Sequence, residues 1–151
     1  MSFELQVSRD IAASPAAVYA AITDVTRMGE WSPETVKGEW AEGSDGPAVG
    51  ARFVGHNRHG EMEWTTTATV VDLVENERFH FDCDMNGFVF AKWGYDIEPT
   101  DGGCRITEST SNLIPEEMRP ATVEISGIED RAVRNQETMT ETLDRLAAAV
   151  E

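Results

Sequence analysis

Two side chains in this sequence have the chemistry to move a proton inside an apolar pocket, Glu108 and Tyr95. Each lies in a stretch where apolar and polar residues alternate, so its position counted along a strand decides which face it occupies. Ile106 and Glu108 share one face, with Arg105 and Thr107 on the other. Val89, Ala91, Trp93, Tyr95 and Ile97 share a face of the preceding strand, with Phe90, Lys92, Gly94 and Asp96 opposite. An inward carboxyl has its pKa raised by burial unless an arginine or tyrosine holds it. Such a group serves as a general acid or base, and an inward phenol can give a proton to an enolate or carbonyl oxygen. The bland alternatives are a structural pairing for Glu108 and a backbone-tied core hydroxyl for Tyr95. A slip of one residue in register would send Glu108 to solvent.

Two amides stand where apolar residues are the default, Asn57 on a strand and Gln136 on a helical stripe. An inward amide must find partners or cost about 1–3 kcal/mol. Asn57 either orients a ligand or bonds the nearby Gly55 backbone; Gln136 either anchors a hydroxyl or carbonyl or fringes the helix start. Metal chemistry has little to build on. Neither Cys83 nor Cys104 belongs to a CxxC pair, and His56, His59 and His80 do not cluster at ligand spacing. No phosphate loop, nucleophile elbow or Cys/His pair is present, so no metal and no cofactor is expected. His80 is read as outward with no acidic partner, and Arg52 and Arg58 as surface residues.

These residues need elements to position them. Residues 128–150 carry Ile128, Ala132, Met139, Leu143, Leu146 and Val150 at helical spacing, with charged residues between them. That is a long helix with one apolar stripe. Ahead of it, strands are predicted over residues 3–11, 35–41, 51–58, 62–74, 78–83, 89–97 and 104–112. Ser14-Pro15 caps a short helix carrying Val18, Tyr19 and Ile22 inward, and a second short turn ends at Gly29. Trp31, ahead of Pro33, is placed to plug one end of a cavity. Strands followed by a helix argue an α+β domain with the helix on one sheet face. The concave face would present Phe53, Asn57, Trp64, Thr66, Phe81, Trp93, Tyr95 and Glu108. The helix would add Gln136, Met139 and Leu143, and the first helices Trp31. Aromatic walls with a few polar anchors make a small-molecule pocket.

The 151 residues form one domain over their whole length, with a formal net charge of −16. That charge repels phosphate backbones and anionic lipid heads, so neither nucleic acid nor membrane is expected as a partner. The first residues, Met1-Ser2-Phe3-Glu4-Leu5-Gln6, lack the basic head and apolar core of a signal peptide, and the expected location is the cytoplasm. The expected assembly is a monomer or a homodimer.

The order of elements, with particular residues, resembles the START-like or Bet v 1-like helix-grip superfamily (SRPBCC) over essentially the whole chain. The matching pieces are Ser14-Pro15-Ala16-Ala17-Val18-Tyr19, Trp31-Ser32-Pro33, Val49-Gly50-Ala51-Arg52-Phe53, Trp64, Trp93-Gly94-Tyr95, Glu98-Pro99-Thr100-Asp101-Gly102-Gly103, Ile106-Thr107-Glu108, and Thr142-Leu143 with Leu146. Within the superfamily the chain is most similar to the bacterial polyketide cyclase/dehydrase and lipid-transport branch. The resemblance implies a seven-stranded antiparallel curved sheet gripping the last helix over an apolar cavity. It does not imply one activity. Three readings stand: a container for a hydrophobic or aromatic small molecule, lipid- or polyketide-like; a cyclase/dehydrase-type enzyme using Glu108 or Tyr95; and an interaction module whose cavity is incidental.

Overall fold

In a computed structural model of the protein, which describes residues 3–151, the first strand pairs with the last. Met1 and Ser2, part of the N-terminus read above, lie outside the described residues. The strands are β1 (Leu5–Ile11), β2 (Thr35–Trp40), β3 (Arg52–His59), β4 (Met62–Val74), β5 (Arg78–Met85), β6 (Phe88–Thr100) and β7 (Gly103–Asn112). They form one seven-stranded sheet in the order β1-β7-β6-β5-β4-β3-β2, antiparallel at every junction. Alternation therefore produced the right strands, and the α+β architecture is that of a helix grip.

Helix α1 (Pro15–Thr23) starts where Ser14 Oγ accepts from the Ala17 amide at 3.1 Å, with Pro15 at the first helical position. Asp24 ends it and caps the 3₁₀ turn Val25–Glu30, accepting from the Thr26 amide at 3.2 Å. This turn lies directly on β2. A Cβ at Gly38 would sit 2.4 Å from the Val25 carbonyl oxygen, closer than any side chain tolerates. The glycine therefore fixes how near the turn, and Trp31 after it, comes to the sheet. Gly38→Ala is expected to cost about 1–3 kcal/mol in urea denaturation by forcing a backbone shift. Gly46→Ala, at a site with no atom within 4 Å, is expected to cost nothing comparable.

Helix α2 (Arg119–Ser126) stops at Gly127, which adopts φ 73°. Helix α3 (Arg131–Val150) begins at Asp130, whose carboxylate accepts from the Val133 amide at 3.1 Å. The predicted helix began earlier, at residue 128; the Asp130 cap starts it later, and Ile128 is buried in the link. Along α3 the buried face changes character. Its second half brings Leu143, Leu146 and Ala147 against Val18, Ile22, Ile11 and Ile106, a solid core. Nearer its start, between residues 135 and 142, the helix turns Asn135, Thr138 and Thr142 inward beside the buried Met139. These short polar side chains do not fill the curved sheet beneath them.

Three irregularities bend the sheet. At each, one strand carries an extra residue: Val36 on β2, Val71 on β4 and Phe90 on β6. The third corrects the alternation read from the sequence. Cys83 pairs with Ala91 and Asp84 with Val89, leaving Phe90 unpaired. The strand reverses its faces there, so Phe90 lines the interior, Phe88 stands half-exposed at its rim, and Val89 points away.

Candidate functional site

Between the concave face of the sheet and the first half of α3 lies a cavity of about 1150 Å³. Trp31, Phe53, Asn57, Trp64, Thr66, Phe81, Trp93, Tyr95 and Glu108 all line it. Three predicted residues do not. Gln136 is exposed on the outer side of α3, because the register of the helix puts Asn135 on the inner stripe in its place. Met139 and Leu143 are each 1% exposed and pack within the protein, while Thr138 and Thr142 are the α3 residues that face the space. Sequence reasoning favoured the apolar members of the stripe, whereas a void persists where the helix is polar.

The walls are a connected set of rings. Phe53 meets Phe81 edge-on at 5.0 Å, Phe79 lies 5.3 Å from Phe81, and Tyr95 stacks on Phe79 at 6.5 Å. Trp31 is 3% exposed, with the Arg27 guanidinium 5.1 Å from its ring. Asn57 is fully engaged. Its Oδ1 accepts from Thr35 Oγ1 at 3.0 Å, and its Nδ2 donates to Thr66 Oγ1 at 3.2 Å and to the Gly55 carbonyl at 3.4 Å. The amide thus locks β2, β3 and β4 together beside the cavity.

Glu108 differs in kind. It is 5% exposed, and its Oε1 has no hydrogen-bond partner among the described residues. Its Cα is paired with that of Tyr95 across β6 and with that of Val7 across β1. Burial pushes its pKa up to about 8, against a smaller lowering by hydrogen bonding from Tyr95. Burial, and then the Glu108 charge, push the Tyr95 phenol well above its ordinary value. Near pH 7 the pair is therefore a neutral carboxylic acid beside a neutral phenol. That state can donate a proton or a hydrogen bond to an oxygen held in the cavity.

At the other end of the cavity Arg131 donates to Glu34 Oε1 at 2.7 Å, and its guanidinium lies 6.0 Å from the Trp64 ring. Arg134 Nε approaches Glu34 Oε2 at 3.5 Å. These contacts tie the first turn of α3 to the segment before β2. Nothing in the spacing of residues 34, 131 and 134 signalled them, because the contact depends on the helix crossing the sheet edge. On the convex face His80 Nε2 meets Asp96 Oδ2 at 3.0 Å. The acidic partner that the sequence reading denied His80 thus comes from the neighbouring strand. Cys83 faces the cavity as a thiol whose pKa burial, then the Asp82 and Asp84 charges, push to about 12, so it is unreactive. Among the described residues no helix is long and apolar enough to cross a membrane.

The geometry has counterparts. The Polyketide_cyc-like protein Cgl2372 of Corynebacterium glutamicum is 32% identical, over 97% of this chain and 81% of that one, with a TM-score of 0.53. The di-domain ARO/CYC StfQ of the steffimycin biosynthetic pathway superposes with a TM-score of 0.73 at 14% identity, over 97% of this chain and 49% of that one. The Aha1 dimer of Colwellia psychrerythraea gives 0.66 at 15% identity, over 97% and 95% of the two chains. The latter two share the fold. No curated protein matches the sequence. A family model described as polyketide cyclase / dehydrase and lipid transport matches residues 2–151. By that match over nearly its full length, the chain belongs to the polyketide cyclase/dehydrase and lipid-transport family.

Proposed function

We propose that the protein binds a hydrophobic or aromatic small molecule inside the sheet–helix cavity. The observation that carries this reading is the cavity itself: about 1150 Å³ left open beneath a helix whose inner face turns polar just above it. Ordinary small-molecule sites occupy roughly 300–1,000 Å³, so the space suits a molecule of drug size or somewhat larger. Burial of apolar surface supplies affinity at about 25 cal/mol per Å², and the rings lining the space provide that surface. Native mass spectrometry of freshly purified protein is expected to show an added mass that denaturation releases. Added ligand should also shift the fluorescence of Trp31, Trp64 and Trp93. Absence of both would remove the container reading.

A second reading, a cyclase/dehydrase-type enzyme, is favoured by one observation: Glu108 and Tyr95 stand opposite each other at the cavity wall, where burial favours the protonated form of both. A poly-carbonyl chain held there would meet a general acid at its oxygen. Glu108→Gln and Tyr95→Phe are then expected to lower turnover of such a substrate at least 100-fold while binding survives. Turnover should also fall as pH rises through about 8, where Glu108 loses its proton. Unchanged turnover in both variants would exclude that mechanism.

A further inference from the structure

The charges around the cavity are unevenly distributed. Six carboxylic side chains line it against three arginines, one of them Arg52, an exposed residue at its edge that the sequence reading placed on the surface, and no lysine or histidine does so among the described residues. Two of those arginines already have carboxylate partners. Arg131 is 2.7 Å from Glu34, and Arg52 is 3.2 Å from Asp84. The third, Arg119, is exposed on α2. Among the described residues no basic group forms an ion pair with Glu108, and its Oε1 is left without a donor.

Resting on the container reading, we propose that the occupant is a cation: a hydrophobic amine or quaternary ammonium whose charged end meets the unpaired Glu108 Oε1 among the aromatic walls. A protonated amine supplies the missing donor for that oxygen, and a quaternary ammonium supplies an opposite charge to the ionised carboxylate. The π faces of Tyr95 and Trp93 attract either cation as well. The fold buries the neutral carboxyl, so binding strips the ligand's charge of water and, below about pH 8, also releases the Glu108 proton. A carboxylate ligand would instead bring a second negative charge beside Glu108. The protein's net charge of −16 raises the local concentration of cations and lowers that of anions.

The test compares four probes of one skeleton by calorimetry: (4-phenylbutyl)trimethylammonium, 4-phenylbutylamine, 4-phenylbutanol and 4-phenylbutyrate. At pH 8.5 both cations are expected to bind at least tenfold more tightly than the alcohol, with the carboxylate weakest. Glu108→Gln is expected to erase the preference and leave the alcohol within threefold of wild type. Between pH 6 and 9 the affinity of the permanent cation should rise, because its binding expels the Glu108 proton, while that of the alcohol stays flat. The groups facing Glu108 do not confuse this readout. Tyr95 on β6 and Cys83 on β5 keep their protons, Val7 on β1 is apolar, and α3 offers Asn135, Thr138 and Thr142 with Arg131 held by Glu34. An alcohol or carboxylate that binds as tightly as the cations overturns this proposal and leaves the container intact. Failure of all four probes overturns both.

Discussion

Replacing Glu108 with glutamine is expected to stabilise the protein at pH 8.5 and to change it little at pH 5. The folded pKa, about 8, lies above the ordinary carboxyl value of 4.5. Between those two pH values the folded state holds a proton that the unfolded state has released. Stability of the wild type therefore falls as pH rises through this window, and the loss levels off above about 8. If the shift is felt in full, the loss is on the order of 4–5 kcal/mol, and water reaching the cavity reduces it. Glutamine is neutral throughout and nearly isosteric, so it abolishes the slope. Urea denaturation of both proteins at pH 5 and 8.5 checks this: the variant's advantage should grow by at least 2 kcal/mol between the two. Equal differences at both pH values would mean that Glu108 titrates like a surface carboxyl and that the cavity wall around it is wet.

The second large effect separates two tryptophans that line the same cavity. Trp31 is 3% exposed and packs within the main core cluster, so Trp31→Ala is expected to cost about 3–5 kcal/mol by chemical denaturation. Trp64 lies on β4 opposite Asn57, half-buried, with Arg131 beside its ring. Trp64→Ala should cost only about 1 kcal/mol of stability. Binding of 4-phenylbutanol should nonetheless weaken about tenfold, as for an aromatic anchor at a ligand interface. Similar stability losses in the two variants, or unaltered binding in Trp64→Ala, would show that Trp64 belongs to the core and not to the ligand.

Most of the fold was legible because strand parity and helix spacing are written directly into residue order. Ser14-Pro15 marked the start of α1, and the Val18 and Ile22 spacing marked its buried face. Glu108 and Tyr95 were placed correctly because no bulge lies between them and their strand ends at Gly103 and Thr100. Parity failed at Phe90, where one extra residue reverses the faces and nothing in the local composition announces it. Helix spacing failed at Gln136 for a related reason. An error of one position moves a residue by about 100° around the axis, enough to exchange Gln136 for Asn135. The Glu34–Arg131 pairing was invisible because it joins residues far apart in sequence, through the path of the helix. The cavity itself was expected from aromatic content. Its location under the polar half of α3 became visible only when the helix had been laid on the sheet.

The extra residue at Phe90 sits beside the β5–β6 tip, away from the contacts that hold α3 in place. Deleting the Phe90 codon would remove the bulge and one aromatic side chain offered to a guest, leave the Asp84–Val89 and Cys83–Ala91 pairs in register, and spare the packing at the far end of the sheet. Descendants of this chain thus have an inexpensive route to new guests: length variation at one hairpin, with folding left to residues that need not change.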